Sequence, residues 1–258
     1  MKKYSEVVTD EAETDEGLFD VHKVDDKYYY EIPDDLLEKE MLLVTRQSKT
    51  ADNLGYGGEK MNTQIVRWQK KDNNILLRHV SYENVASEED PIYEAVRNSN
   101  FEPIIASFSI EALNEDSTGS VVEITSLFSS DIPSLGLPSR TRQAYQVRRL
   151  DSDRTFIEHI NSYPENIEVR NVLTYDASNP PSNSSTGTIS MEVNHSMIVL
   201  PDEEMRARSY DQRVGFFSVQ KTEYTKDAQK AKSVRHITRW KLVPKDKEAY
   251  TAWLNGES

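Results

Sequence analysis

Strands are predicted along most of the chain, because apolar and polar residues alternate with a period of two. In segment 188–199 one side carries the apolar residues Ile189, Met191, Val193 and Met197. The other alternating or short β-prone apolar segments are 18–24, 27–32, 40–46, 63–70, 75–82, 167–175, 215–224 and 233–243. In the last of these the shared face is predicted to carry Val234, Thr238, Trp240 and Leu242. Turn residues at 25–26 and 71–74 separate two neighbouring pairs of strands, which predicts two hairpins.

Helices are predicted to be few and short. Asp90-Pro91 is typical of a helix start, because Asp caps an N-terminus and Pro fits the first position, and it predicts a helix over 91–98. A second helix is predicted from Ser152-Asp153 to a stop at Pro164, and a third over 246–254. Because the strands do not alternate with long helices, the predicted fold class is α+β, predominantly antiparallel β-sheet with a few short helices.

The domain organisation follows from composition. Residues 6–16 hold six acids and no base, so residues 1–16 are predicted to form an acidic flexible tail. Residues 17–245 are predicted to form a β-rich domain that divides into two subdomains with a break near 130–145. Residues 246–258 are predicted to form a C-terminal helix and linker.

Charge and residue content exclude several kinds of chemistry. The chain of 258 residues has no Cys, so disulfides, thiolate nucleophiles and Cys-based zinc sites are excluded. Its net charge of −13 makes sequence-independent nucleic-acid binding unfavourable. No apolar run approaches the roughly 20 residues of a membrane-spanning helix, so no membrane span is predicted. The five histidines lack the spacing of a metal-binding helix or strand, and we expect no cofactor on this chain.

Four motifs have both a functional and a structural interpretation. His195 and His236 lie on apolar strand faces, where each is either an acid/base group or a sheet histidine with a satisfied hydrogen bond. The loop 55–60 (GYGGEK) is either a phosphate loop, although it lacks the Walker spacing, or a mobile loop. The cluster Asp151, Asp153 and Arg154 is either a cation site or a helix cap, and we favour the cap.

Two basic stretches stand out in this acidic chain. Residues 140–149 contain four Arg and no acid, and residues 226–247 contain eight Lys or Arg and two acids. Each stretch either faces an acidic partner or is a solvated strand face.

Long strings resemble the domain of unknown function that precedes the catalytic domain of large secreted bacterial zinc-dependent metalloproteases of the zincin type. They include GLFDVHKVDDKYYYEIP at 17–33, VRRLDSDRTFIEHINSYPENIEVR at 147–170 and SYDQRVGFFSV at 209–219. The resemblance implies a periplasmic or extracellular location and a non-catalytic accessory domain. It also implies a catalytic domain beyond 246–258 that would carry the zinc and the His-Glu-x-x-His helix. No position here matches those zinc ligands or the catalytic Glu, so we expect this chain not to be an enzyme.

The expected partner is therefore a zinc metalloprotease catalytic domain, which this domain packs against or shields. The candidate contact residues are Tyr210, Asp211, Arg213, Phe216 and Phe217, where a charged loop joins an aromatic strand start. The alternative for this segment is a turn stabilised by an Asp–Arg pair. The alternative function is a free-standing peptide- or glycan-binding module that uses exposed Tyr and Trp68, Trp240 or Trp253. If a partner face is uncovered, we expect the isolated chain to self-associate.

Overall fold

The structure is a computed structural model that describes residues 1–182, 184–225 and 230–256. Two of the predicted segments extend past these ranges. Residues 226–229 of the basic stretch 226–247, and residues 257 and 258 of the C-terminal segment, lie outside the described residues.

Fifteen strands and five short helices are described, and they confirm an α+β fold dominated by antiparallel sheet. The strands are β1 Glu13–Asp15, β2 Asp20–Val24, β3 Lys27–Pro33, β4 Glu40–Lys49, β5 Lys60–Lys71, β6 Asn74–Val80, β7 Asn84–Ala86, β8 Ile104–Leu113, β9 Gly119–Glu123, β10 Val147–Leu150, β11 Phe156–Ser162, β12 Asn166–Ala177, β13 Thr188–Val199, β14 Ser218–Tyr224 and β15 Lys232–Ile237. The helices are α1 Tyr4–Val7, α2 Tyr93–Ser99, α3 Thr125–Ser129, α4 Ser139–Ala144 and α5 Lys247–Leu254. Single 3-10 turns occupy Asp34–Leu36 and Ser152–Arg154.

The chain divides into two compact units. Unit 1 consists of residues 1–81 and 102–200, and unit 2 consists of residues 82–101 and 201–258. The predicted break near 130–145 lies inside unit 1 and does not separate the units. Instead, residues 82–101 leave unit 1 and form unit 2 together with the C-terminal residues 201–258.

Unit 1 is a single twelve-stranded sheet. Its strand order is β1-β2-β3-β9-β8-β6-β5-β4-β13-β12-β10, and β11 also pairs with β12. Neighbouring strands are antiparallel throughout. The predicted hairpins β2–β3 and β5–β6 are confirmed. The longest pairing joins β12 to β13 from Asn166↔Ile198 to Asp176↔Thr188, where the alternation of apolar residues is clearest.

The two ends of this sheet meet, because the segment before β2 contacts the end of β11. The backbone N–H of Leu18 donates to the carbonyl of Tyr163 at 2.8 Å. The Ser162 hydroxyl donates to the carbonyl of Phe19 at 2.7 Å. Gly17 permits this approach, because a Cβ at that position would lie 2.4 Å from Ser162 Oγ.

The curled sheet encloses an aromatic core. The indole of Trp68 lies 6.0 Å from the ring of Phe19 and 6.1 Å from that of Tyr30, both in edge-on geometry. All three side chains are fully buried. A second cluster, centred on Tyr175 and Leu137, packs under the other end of β12 and β13.

The N-terminal segment differs from its predicted flexible tail. Residues 1–16 contain α1 and β1, and β1 pairs with β2 through Thr14↔His22. Val7 is buried and packs with Tyr29 and Val121. The acidic composition of the segment predicts a tail, but its few apolar side chains bury enough apolar surface to hold it against the sheet.

Two other predicted elements need correction. The helix predicted after Ser152-Asp153 is wrong, because the chain makes one 3-10 turn and then enters β11. There Ile160 and Ser162 are buried, and the pairing with β12 overrides the helical spacing of the apolar residues. The strand predicted over 233–243 ends at Ile237, so Trp240 and Leu242 lie beyond it.

Unit 2 contains a three-stranded sheet in the order β15-β14-β7. β14 and β15 are antiparallel, from Ser218↔Ile237 to Glu223↔Lys232, and β14 pairs with β7 in parallel. The predicted helices over 91–98 and 246–254 are present as α2 and α5. None of the helices in the described ranges is long and apolar enough to cross a membrane.

Candidate functional site

The Tyr210–Phe217 segment begins with a turn that is closed by its own charges. The Asp211 carboxylate accepts from the Arg213 backbone N–H at 2.9 Å, from Nε at 3.0 Å and from a terminal guanidinium nitrogen at 2.6 Å. These bonds from Arg213 hold the pKa of Asp211 below its ordinary value. The segment therefore has the Asp–Arg turn that was one of its two predicted interpretations.

Tyr210 attaches this turn to β15. Its backbone N–H donates to the carbonyl of Arg235 at 2.8 Å, and the Arg235 guanidinium lies 4.0 Å from the centroid of the Tyr210 ring. A cation over an aromatic face is attracted by the ring quadrupole. The turn is thus attached to β15 at its N-terminal end.

Large apolar side chains project from the segments that continue the β14–β15 hairpin. The backbone N–H of Thr238 donates to the carbonyl of Phe217 at 2.8 Å, one hydrogen bond beyond the paired residues of the β14–β15 hairpin. Phe217, Trp240 and Leu242 are 89%, 89% and 90% exposed. We call the following exposed residues the apolar surface of unit 2: Val214, Phe216, Phe217, Val219, Trp240 and Leu242. Exposed apolar clusters of this kind are typical of interaction sites.

The Asp151 cluster forms a capped turn. The Asp151 carboxylate accepts from the backbone N–H groups of Asp153 and Arg154 at 3.0 and 3.2 Å. The Arg154 guanidinium also donates to Asp151 at 2.5 Å and to Asp176 at 3.3 Å. The cap is Asp151 itself, which caps a single 3-10 turn, and the carboxylates of Asp151 and Asp176 are occupied by these donors.

Unit 1 contains a cleft of about 300 Å³ that the sequence did not indicate as one site. It lies between the glycine-rich loop and α4, so two motifs distant in the sequence form its opposite walls. Its lining includes the apolar residues Leu54, Met61 and Leu137. It also includes the polar residues Glu59, Lys60, Thr141 and Tyr145. A volume near 300 Å³ is at the lower end of those that bind small ligands.

Gln47 anchors the loop wall of this cleft. Its side-chain amide donates to the carbonyls of Leu54 and Tyr56 and to the carboxylate of Glu59, each at 3.2 Å. Gly55 has φ +102°, and a Cβ there would lie 2.3 Å from Glu59 Oε2. The glycine is therefore needed both for the backbone conformation and for the close approach of Glu59.

Arg142 anchors the opposite wall. Its guanidinium makes two bonds to Asp131, at 2.6 and 2.8 Å, and donates to the carbonyl of Leu137 at 2.7 Å. It also lies 4.9 Å from the centroid of the Tyr175 ring, whose burial raises the pKa of that phenol to about 12. Arg149 pairs with Asp176 at 2.9 Å. The basic stretch 140–149 is therefore partly neutralised within unit 1.

His195 is a fully buried histidine with both ring nitrogens bonded. Nδ1 accepts from the Thr45 hydroxyl at 3.1 Å, and Nε2 donates to Asn171 Oδ1 at 3.2 Å. The Asn171 amide nitrogen donates to the carbonyl of Phe128 at 2.6 Å, which leaves its oxygen as the acceptor. Burial lowers the pKa of His195 to about 3, so the ring is neutral near pH 7. This arrangement fits the predicted sheet histidine with satisfied hydrogen bonds.

A hydroxyl–imidazole–carboxylate chain lies at the N-terminal end of unit 1. The Thr14 hydroxyl is 2.8 Å from His22 Nδ1, and His22 Nε2 is 3.2 Å from Glu31. The Tyr4 hydroxyl donates to the same Glu31 oxygen at 2.8 Å. Hydrogen bonding from His22 lowers the pKa of Glu31. The cluster joins α1 and β1 to β2 and β3, so its bonds account for the order of this segment.

The remaining candidates separate clearly by exposure. Trp68 is fully buried in the core and is not a ligand-binding tryptophan, whereas Trp240 and Trp253 are exposed. His236 lies on β15 and pairs with Val219. Within the described ranges, no group of three or more His, Cys, Asp or Glu residues is placed to hold a metal ion.

Two family models match the chain. One, described as Domain of unknown function (DUF5118), matches residues 1–50, and the other, described as Domain of unknown function (DUF5117), matches residues 58–245. No curated protein and no solved structure matches the chain. The two matched regions meet between β4 and β5, which are neighbours in one sheet. Because the second match spans most of the sequence, the chain belongs to the family described as Domain of unknown function (DUF5117).

Proposed function

We propose that this chain is a non-catalytic accessory domain that docks against the catalytic domain of a zinc-dependent metalloprotease through the apolar surface of unit 2. One observation carries the proposal. Phe217, Trp240 and Leu242 are each about nine-tenths exposed on adjoining segments. Leaving such side chains in water forgoes roughly 1.5–3 kcal/mol for each one. A partner that covers them recovers this free energy on binding.

The Asp211–Arg213 turn has a positioning role in this proposal. Its two charges satisfy each other, so they do not reach across to a partner in this conformation. By fixing the turn, they fix where Phe216 and Phe217 leave it. Preorganised aromatic anchors of this kind bind with less loss of conformational entropy.

The resemblance to the region before the catalytic domain of zinc metalloproteases supports the identity of the partner. In this proposal the zinc and the general base belong to the partner domain, and this chain supplies a surface. The chain shields or orients the catalytic domain, or recruits its substrate. Its own residues carry out no bond-breaking step. A broad panel of hydrolase substrates is expected to show no turnover by the chain alone.

The test uses this chain and a separately produced metalloprotease catalytic domain. Calorimetry and a peptidase assay should show binding and a change in activity. Replacing Phe217 or Trp240 by Ser should raise Kd at least tenfold, which corresponds to about 1.4 kcal/mol. The matched control is Tyr56→Ser, because Tyr56 is also an exposed aromatic (68%) but lies on the unit 1 loop. No binding together with unchanged peptidase activity would refute the proposal.

The uncovered apolar surface also predicts self-association of the isolated chain. Light scattering at increasing concentration should show a rising mass, and Trp240→Ser should reduce it. A constant monomer mass at high concentration would contradict this expectation.

The cleft favours a second candidate function, a free-standing peptide- or glycan-binding module. Its lining combines apolar side chains with the polar groups of Glu59, Lys60 and Thr141, which can bind a small ligand. A ligand array should then yield hits that are lost in Lys60→Ala and retained in Trp240→Ser. An array without hits would argue against this candidate.

A further inference from the structure

Two strands of unit 1 are paired on one side only. β1 pairs with β2, β11 pairs with β12, and within the described residues neither strand pairs along its other side. Both strands lie where the two ends of the curled sheet meet. An unpaired strand edge presents a row of backbone N–H and C=O groups that can pair with another chain.

A cleft of about 330 Å³ lies between these two edges. It is lined by both strands and by the β2–β3 hairpin, at residues 13–15, 158–161, Val21, Lys23 and Tyr28. At one end the strands are held together, because the Asp15 carboxylate accepts from the Ser162 backbone N–H at 3.0 Å. A side chain thus takes the place of a ladder bond between the strands. We call this space the seam cleft.

The edge of β11 directs backbone groups into the seam cleft. In an antiparallel pair, alternate residues bond to the partner strand, and the residues between them face the other way. The Tyr163 N–H donates to the carbonyl of Asn166 at 2.8 Å, so Tyr163 faces β12. Ser162 and Ile160 then face the opposite edge, in agreement with the bond from the Ser162 N–H to Asp15. The backbone N–H and C=O of Ile160 therefore point towards the seam cleft.

On β1 the corresponding residue is Thr14. Val24 and Lys27 close the two-residue turn of the β2–β3 hairpin, so the backbone of Val24 faces β3 and that of Lys23 faces β1. Glu13 is opposite Lys23 and therefore faces β2. Thr14 follows Glu13, so its backbone N–H and C=O point away from β2, towards the seam cleft that it lines.

The two edges suit the same inserted strand. β1 and β11 run in the same direction, because their last residues, Asp15 and Ser162, are bonded and residues 13–15 and 158–161 line one cleft. A segment that is antiparallel to one strand is then antiparallel to the other as well. Antiparallel pairing is also the arrangement between all neighbouring strands of this sheet. Both walls therefore have the chemistry of strand addition, in which backbone bonds hold an extended peptide.

The seam cleft is acidic. Glu13, Asp15 and Glu158 line it, and its one Lys or Arg is Lys23, 3.8 Å from Glu13. The bond from the Ser162 N–H orients the Asp15 carboxylate but does not compensate its charge. The lining therefore carries two more negative than positive charges.

The surroundings of the seam cleft do not reverse this sign. The nearby bases are engaged, because Arg170 on β12 lies 3.6 Å from Glu192 and Lys27 pairs with Glu123 at 2.8 Å. Unit 1 as a whole contains 18 Lys or Arg and 30 Asp or Glu, which gives −12. The local charge and the charge of the whole unit thus both favour a cationic occupant.

We infer that the seam cleft binds an extended segment of another polypeptide, antiparallel to β1 and β11, that carries Lys or Arg at alternate positions. Backbone bonds to Thr14 and Ile160 hold the segment. Alternate side chains of a strand share one face, so one set of cations can lie beside Glu13 and Glu158. A second copy of this chain is disfavoured, because it would bring the same acidic edge. The inference goes beyond the proposed function and does not depend on the apolar surface of unit 2.

The test measures binding of fluorescein-labelled peptides to the full chain by fluorescence anisotropy. The probe alternates Lys with Val (KVKVKV), and the charge control alternates Glu with Val (EVEVEV). We expect the Kd of the Lys peptide to be lower by about tenfold or more. Methylating alternate backbone nitrogens of the Lys peptide removes its ladder donors along one edge and should raise Kd by about tenfold or more.

Thr14→Pro tests strand pairing from the side of the protein. Proline removes the N–H that points into the seam cleft, and an edge strand accepts proline where that N–H faces outwards. The variant should raise the Kd of the Lys peptide by about tenfold or more. The matched control is Thr14→Ala, which loses the hydroxyl bonded to His22 but keeps the N–H, and it should bind as the wild type. Circular dichroism checks that both variants are folded.

Glu158→Gln tests the charge of the site. It should raise the Kd of the Lys peptide by about threefold or more. The control is Glu115→Gln, which removes an exposed acid in the turn between β8 and β9 and should leave Kd unchanged.

Each other outcome overturns the inference. Equal binding of the methylated and the parent peptide excludes strand addition, even if Thr14→Pro does not fold. Equal binding of the Lys and Glu peptides excludes a cationic segment. Loss of Lys-peptide binding in Trp240→Ser assigns the peptide to unit 2. Self-association that Thr14→Pro abolishes, with no peptide binding, replaces the inference by a second copy of the chain. None of these measurements uses the metalloprotease catalytic domain, so the proposed function is tested separately.

Discussion

Acidification is expected to destabilise unit 1 through His195. In the folded chain the ring is fully buried, and the groups that bond to it, Thr45 and Asn171, are neutral. No carboxylate is hydrogen-bonded to this ring to favour the imidazolium, and burial lowers the pKa of His195 to about 3. In the unfolded chain the same ring has its ordinary pKa of 6.5. The unfolded state therefore binds a proton below pH 6.5, and the folded state does not.

The direction and size of the effect follow from this difference. The contribution of His195 to stability is fully present above pH 6.5 and is lost as the pH falls towards 3. From pH 7 to pH 5, the linkage relation gives a loss of about 2 kcal/mol from this one group. That loss is a large fraction of the roughly 5–15 kcal/mol by which domains are stable.

Urea unfolding, followed by tryptophan fluorescence at pH 7 and pH 5, measures this loss. The test variant is His195→Gln, because an amide can accept from Thr45 and donate to Asn171 without titrating. Its stability should change by about 2 kcal/mol less between the two pH values than that of the wild type. His159→Gln is the control, because it removes an exposed histidine of β11. It should leave the pH dependence of the free energy of unfolding as in the wild type. If the free energy of unfolding changed equally between pH 7 and pH 5 in the wild type and in His195→Gln, the reasoning would be refuted.

Three further predictions concern packing. Gly17→Ala should lower the free energy of unfolding by about 1–3 kcal/mol, because the new methyl group meets Ser162 where the sheet ends join, and a normal denaturation midpoint would contradict this. Tyr30→Phe should leave thermal stability unchanged or raise it, because the buried hydroxyl has no partner among the described residues, so a clear drop in Tm would count against it. Gly55→Ala should speed hydrogen exchange in the loop that Gln47 holds, while exchange in β12 stays as in the wild type.

Part of the fold is predictable because its determinants are local. The β12 and β13 pair is long and alternates regularly, so its bounds are predicted to within a few residues. A helix is also correctly predicted after Asp90-Pro91, but the predicted start is wrong, because α2 begins at Tyr93 and no side chain caps it. In contrast, β11 carries apolar residues with helical spacing, and only its pairing with β12 makes it a strand. No element is predicted over 104–123, where β8 and β9 depend on partners distant in the sequence.

The candidate sites show the same division. The Asp211–Arg213 turn involves neighbours two positions apart, so residue types alone indicate it. The exposure of Trp240 and Leu242 depends instead on where β15 ends, and the alternation of the sequence continues past that point. The cleft is lined by residues near 55 and residues near 140, and no local sequence pattern predicts that they lie close together. Gln47 resembles an ordinary strand residue until the loop folds over it.

The joining of distant strands in unit 1 has a consequence for the order of folding during synthesis. β4 pairs with β13, and the bond between Thr45 and His195 spans 150 positions. At roughly 5–20 residues per second, a ribosome needs on the order of ten seconds to complete that interval. Until then β4 lacks one of its two neighbours, and its edge can pair with other chains. This high contact order predicts that a chaperone or slow dilution during refolding will raise the yield of folded protein.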